Sequence, residues 1–363
     1  MKRCIITIIT AAVLLIIAVP VFAFAEDMPP AEEEVYSRLD DILEDSDIGC
    51  DTAEISSFSF KELIETLKNR TEAEASAPLK LLGGLLTVIA FTAVLKCIGG
   101  IYFKTASELY STVSVLLASS ATAVPVMELF GESVDSVKKC GSFIAVFIPV
   151  FSGITAASGG ISTAGAYDAA VLVASELFVQ LTSGLLIPML SIVIMLSVVG
   201  SVFKDIDISS IASSVKKIIT WLMTLSMTVF TAFLTLKCTL TGKADGISSK
   251  AARFVISGAV PIVGSAVNDA YSTVRSSFDM IRGTVGVTGC IGAALIILPP
   301  LIRILVLRIV LCIGSAAAEL FSTESINKLL KAFDSGLAIA QSILICYIVM
   351  FVLSTAIILQ TVG

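Results

Sequence analysis

The chain has 363 residues and a formal net charge of −6, with 56% of its positions apolar and only 15% charged. At a mean hydropathy of +0.97 it has too little polar surface to coat a water-soluble globule of this size, so its medium is largely lipid. The absence of histidine removes Ser-His-Asp and Cys-His catalysis, the HExxH zinc site and the usual haem ligand, and Gly242-Lys243 lacks the upstream glycine of a phosphate-binding loop.

Lys2 and Arg3 precede an apolar run that breaks at Pro20, and Ala23-Phe24-Ala25 sets small residues at both cleavage positions before Glu26. This is the pattern of a secretory signal peptide over residues 1–25, recognised at Ala23 and Ala25. The run is short for the roughly 20 apolar residues of a retained span. Residues 26–77 then carry 16 acids against four bases, whereas residues 78–363 carry 14 acids against 18 bases. The first stretch, with Pro29-Pro30 and two weak helical patterns unable to bury a core, reads as a short acidic extracytoplasmic segment. Of the eight cysteines, Cys50 alone falls in that segment. Cys97, Cys140, Cys238, Cys290, Cys312 and Cys346 lie in or beside apolar runs, where thiols behave as small hydrophobes.

A multi-spanning domain is predicted over residues 78–363. Apolar runs cover 79–98, 109–130, 143–157, 164–203, 218–236, 284–313 and 336–359. The fourth is long enough for a hairpin of two helices around Gly184, so about seven or eight crossings are expected at roughly 20 residues each. Pro299-Pro300 should break or kink the run that contains it. The stretch 259–270, with Pro261 and Gly264, reads as a half-span or packed loop.

Short amphipathic pieces lie between runs at 132–139, 211–217 and 324–328, several ending in lysine. They read as interfacial helices whose lysines snorkel to the headgroups. With the N-terminus outside, Lys96, Lys104, Lys204, Lys216 and Lys217 fall on the cytoplasmic side, as the positive-inside rule prefers. Lys138, Lys139, Lys237, Lys243, Lys250 and Arg253 fall outside, against the rule. The fold class is therefore all-α, a polytopic helical membrane protein preceded by a signal peptide and an acidic arm.

Three constellations stand out. Small residues recur at every fourth position in Ser158, Ser162, Ala166, Ala170 and Ala174, with Gly159 and Gly160 at the start. Such a stripe lets helices approach closely in lipid, or marks a broken helix lining a cavity. Gly283, Gly286, Gly289 and Gly292 have a period of three, which winds around a helix and suits packing or a pore lining. Asp168 and Glu176 are acids well inside an apolar run, about 80° apart on a helix, and Arg303 and Arg308 are the matching bases after the double proline. Intramembrane charge is expensive, so pairing between these helices or contact with a water-filled path is expected.

The signal peptide, the acidic linker, Pro149-Val150 running into Ala157-Ser158-Gly159-Gly160, the lysine-led helix before Trp221, and Arg253-Phe254 leading into Pro261-Ile262-Val263-Gly264 with Asp269-Ala270 together resemble the stage III sporulation protein AE family of endospore-forming bacteria. That resemblance implies a polytopic, permease-like component of a channel or secretion-like complex, in the mother-cell membrane around the forespore and needed for late forespore gene expression. Its implied partners are the other stage III sporulation A-series proteins, including a secretion-type ATPase, and stage II sporulation protein Q across the intermembrane space. No catalytic residue, cofactor or metal comes with it, and no nucleic acid is expected. The alternative reading is a stand-alone secondary transporter or permease with Asp168, Glu176, Arg303 and Arg308 around a midplane site.

Overall fold

The computed structural model describes residues 76–102, 104–202, 209–259 and 264–362. The expected signal peptide, with Ala23 and Ala25, and the acidic segment as far as residue 75 lie outside the described residues. Within them the elements are α1 (Ser76–Tyr102), α2 (Lys104–Ala157), α3 (Ile161–Leu181), α4 (Ile187–Val202), α5 (Ser209–Ala259), α6 (Gly264–Leu320) and α7 (Glu324–Val362), with a π-helical turn, Thr182–Leu186, between α3 and α4. In hydrocarbon a backbone must satisfy its own polar groups, and long apolar runs do so as helices.

Among the described residues five stretches are long and apolar enough to cross a bilayer: Thr112–Ala157, Ile161–Val202, Ile211–Ser248, Ser272–Leu320 and Glu324–Gln360, beside a shorter apolar helix, Lys80–Leu95. The protein is an all-helical, polytopic membrane protein. The seven or eight apolar runs read from the sequence become these longer rods because neighbouring runs fuse. With 54 residues, α2 is about 81 Å long at about 1.5 Å per residue, against about 30 Å of bilayer hydrocarbon.

Fusion overturns several local expectations. There is no hairpin at Gly184: Leu181, Thr182 and Ile187 all keep right-handed helical dihedrals, so α4 continues α3 through the π turn. A reversal there would strand backbone groups in an apolar stretch, whereas one widened turn leaves nearly all of them bonded. Residues 132–139 are the middle of α2, not a separate interfacial helix, and the segments at 211–217 and 324–328 are the first turns of α5 and α7. The double proline does not end its helix, since α6 runs through Pro299 and Pro300, as α2 does through Pro125 and Pro149. The expected loop at 259–270 is helical from Gly264 onward.

From α2 onward the rods alternate in direction, α3 and α4 counting as one. Gly141 of α2 faces Ser175 and Val179 of α3, and Ser152 Oγ donates to the Ala164 carbonyl, so α2 and α3 are antiparallel. Asp245 of α5 meets Ser162 and Thr163 of α3. On α6 and α7, Arg282 reaches Leu359 while Arg308 reaches Asp334. Central helix α7 packs against α2, α3, α4, α5 and α6, whereas α2 and α5 make no substantial contact and occupy opposite flanks.

The core is an aromatic ladder. Phe143, Phe147 and Phe151 stand one turn apart on α2, all buried, with ring centroids 5.7 and 5.6 Å apart. Phe351 of α7 meets the first two edge-on and Tyr167 of α3 meets the third. Opposite them α6 offers Gly292, Gly289 and Gly286 in that order. A Cβ at Gly292 would lie 2.8 Å from Phe143 Cζ, one at Gly286 would lie 3.2 Å from Phe151 Cε2, and one at Gly289 would enter the Phe147 ring. A ridge of period four thus seats in a groove of period three, the geometry of helices crossing at a shallow angle. The glycine series is packed against rings there, not open as a pore wall; Gly283, one turn earlier, is half-buried.

Cys140, Cys238 and Cys290 are free and buried, as small hydrophobes are. Cys312 departs from that reading, being disulfide-bonded.

Candidate functional site: charges tied between helices

At one end of the bundle α2 finishes at Ala157 and α3 begins at Ile161, with Gly159 at φ +98° making the turn. A side chain would be strained at that dihedral, and a Cβ would sit 3.4 Å from the Arg275 guanidinium carbon. Ser158 and Gly160 therefore belong to the turn, so the predicted small-residue stripe starts only at Ser162. Gly160 supplies no cap to α3. Asp245 of α5 does so instead: its Oδ1 accepts from the Ser162 N–H at 3.0 Å, and its Oδ2 accepts from the Thr163 N–H and Oγ1 at 2.8 Å each. A carboxylate here meets both the orphan amides and the positive end of the helix dipole.

Arg282 of α6 is the complementary device. It is buried, with one guanidinium nitrogen 3.5 Å from Ser158 Oγ at the end of α2, another 3.4 Å from the Leu359 carbonyl at the end of α7, and Asp279 at 3.5 Å. Two helix C-termini, each carrying partial negative charge, thus share one cation.

Lower in the bundle, Arg308 and Asp334 form an ion pair at 2.9 Å between α6 and α7, both buried, and the arginine also donates to Gln341 Oε1 at 2.6 Å. Arg303 donates to Glu132 of α2 at 2.9 Å in a half-exposed pair. Both arginines singled out in the sequence are therefore ion-paired, but neither with Asp168 or Glu176. Glu176 is exposed and accepts from Gln180 one turn along α3. Asp168 Oδ1 is buried with no hydrogen-bond partner. Sequence alone misled because Glu132 lay in a stretch read as interfacial, and Asp334 a few residues beyond another, where a charge needs no explanation. Once those stretches are interior helix, their acids are the nearest partners.

The rest of the stripe does two jobs. Ser162 gives its N–H to Asp245, while Ala166, Ala170 and Ala174 line a lateral cavity of about 680 Å³ between α3 and α5, walled by Phe230 and Phe233 with Lys237 at its rim. Asp245, Arg282, Asp334 and Gln341 were missed by sequence reasoning. Only Gln341 lies inside an apolar run read from the sequence; Asp245, Arg282 and Asp334 fall outside the runs, where hydropathy gives no signal for a buried charge. Among the described residues no cluster of three or more metal-ligating side chains occurs.

Comparison with known proteins finds relatives along most of the chain. The family described as Stage III sporulation protein AE matches residues 50–362. The Stage III sporulation protein AE of Bacillus subtilis (strain 168) is 24% identical over 313 residues, covering 84% of this chain and 76% of that protein. No solved structure matches. The match begins within the acidic segment and runs through the last helix, and the chain belongs to the stage III sporulation protein AE family.

Proposed function

We propose that this chain is the polytopic membrane component of a transenvelope channel or secretion-like complex linking mother cell and forespore, acting through assembly and carrying no catalysis of its own. It resides in the mother-cell membrane around the forespore, with its N-terminal segment facing the intermembrane space. Its partners are the other stage III sporulation A-series proteins, a secretion-type ATPase among them, and stage II sporulation protein Q on the far side. The observation that carries this reading is the use of the buried charges: Asp245, Arg282 and the Arg308–Asp334 pair each tie one helix to another, which is how a rigid scaffold spends its polar groups.

Deleting the gene should arrest sporulation after engulfment with late forespore genes silent, and detergent extracts should co-purify the A-series partners. Normal sporulation in the deletion strain would overturn the reading. The second reading, a stand-alone permease, is favoured by one observation, the unpartnered buried Oδ1 of Asp168. It requires that purified protein in vesicles move a solute without partners and that Asp168→Asn abolish the movement.

A further inference from the structure

The apolar stretch Thr112–Ala157 of α2 is interrupted at its middle by Glu128, Glu132, Asp135, Lys138 and Lys139. Glu132 is taken by Arg303. The other four are exposed on α2, and none forms an ion pair with another of the described residues.

Their depth can be read from the packing. Gly141, two residues beyond Lys139, faces Val179 and Ser175 of α3, and the neighbouring Leu177 and Phe178 share a cavity wall with Val229 and Phe230 of α5. On that opposite flank Trp221, Leu225 and Val229 are bare, at 64%, 41% and 59% exposure, and no charge occurs on α5 between Lys217 and Lys237. One flank is thus built for acyl chains at the depth where the other shows Asp135, Lys138 and Lys139, all within about 9 Å of Gly141 along the helix. Each charge facing hydrocarbon at mid-bilayer is opposed by about 2.5–3.5 kcal/mol even on the mildest scale. The α2 strip must therefore be covered by something polar.

We propose that a second copy of this chain covers it, with the two α2 helices side by side and parallel. The strip fits a copy of itself: Asp135 stands one turn before Lys138 and Lys139 on the same exposed face, so an axis along the bilayer normal sets Asp135 of each copy against Lys138 and Lys139 of the other. A partner of one sign would leave half the strip unpaired. Between and beyond the charges the same face carries Gly131, Ser142 and Ala145, all exposed, and a Cβ at Gly131 would meet nothing within 4 Å. Small residues let two membrane helices close to the distance such pairs require.

The test uses the full chain in native membranes. Ser142→Cys and Val229→Cys place a thiol on the strip and on the far flank, each compared with the unsubstituted chain under the same oxidant. Ser142→Cys should give a disulfide-linked product of twice the chain mass and Val229→Cys none above background. Asp135→Lys in the Ser142→Cys background should lower the yield about tenfold or more, and adding Lys138→Asp with Lys139→Asp should restore it. Rescue by the full charge swap separates lost pairing from lost folding. Equal cross-linking from both flanks, a product containing a different protein or the chain's own N-terminal segment, or no response to charge reversal would each overturn the proposal.

Discussion

Asp245 caps a helix that is not its own, its carboxylate 2.8 Å from both the Thr163 N–H and the Thr163 hydroxyl across more than eighty residues of sequence. It does for α3 what an N-terminal Ser or Asp would do locally, and it fixes α5 against α3 at the turn. Asp245→Ala should lower stability by about 1–2 kcal/mol, the usual range for losing a helix cap. Thr163→Ala should cost less, because two amide bonds to the carboxylate remain. Thermal unfolding in detergent measures both, and equal losses would contradict the capping role.

At the aromatic ladder the spaces are asymmetric. Gly289→Ala pushes a methyl into the Phe147 ring and should destabilise by about 1–3 kcal/mol as an overpacking change. Gly165→Ala, with open space at its Cβ, should fall within about 0.5 kcal/mol of the parent. Pairing Gly289→Ala with Phe147→Leu should recover part of the loss. The same melting assay reads all three variants.

The Arg308–Asp334 pair is buried, so breaking it from one side leaves an uncompensated charge. Arg308→Met or Asp334→Leu alone should cost about 3–5 kcal/mol, whereas the double change should cost much less than their sum. Strict additivity in the double-mutant cycle would show that the two side chains do not depend on each other.

For Arg303 the partner is Glu132, half-exposed on both sides. A cycle between those two should give a coupling of about 0.2–1 kcal/mol, and a cycle between Arg303 and Asp168 should give none within error. The reverse pattern would restore the pairing that sequence spacing suggests.

Glu176 and Gly184 mark the limit of reading membrane helices from sequence. Hydropathy located the lipid-embedded runs and the all-helical class, because the requirement to satisfy the backbone in hydrocarbon acts on composition alone. It could not say whether two adjacent runs turn back or fuse, since a glycine amid apolar residues is compatible with both and the choice rests on which neighbours each helix packs against. For the same reason the charges could be listed but not paired: a 3.6-residue period gives the face of a helix, not what stands opposite.

What the sequence by itself determined is a lipid-facing chain of long apolar helices with a few charges in places where charge must be answered. It also determined that glycine and phenylalanine recur at periods able to interlock, although not that they meet. Only the tertiary structure decided that α3 and α4 are one rod, that Asp245 and Arg282 serve the ends of other helices, and that Arg308 pairs with Asp334. Those outcomes depend on contacts between residues far apart in the chain, whose energies are set by distance and burial rather than by any local pattern.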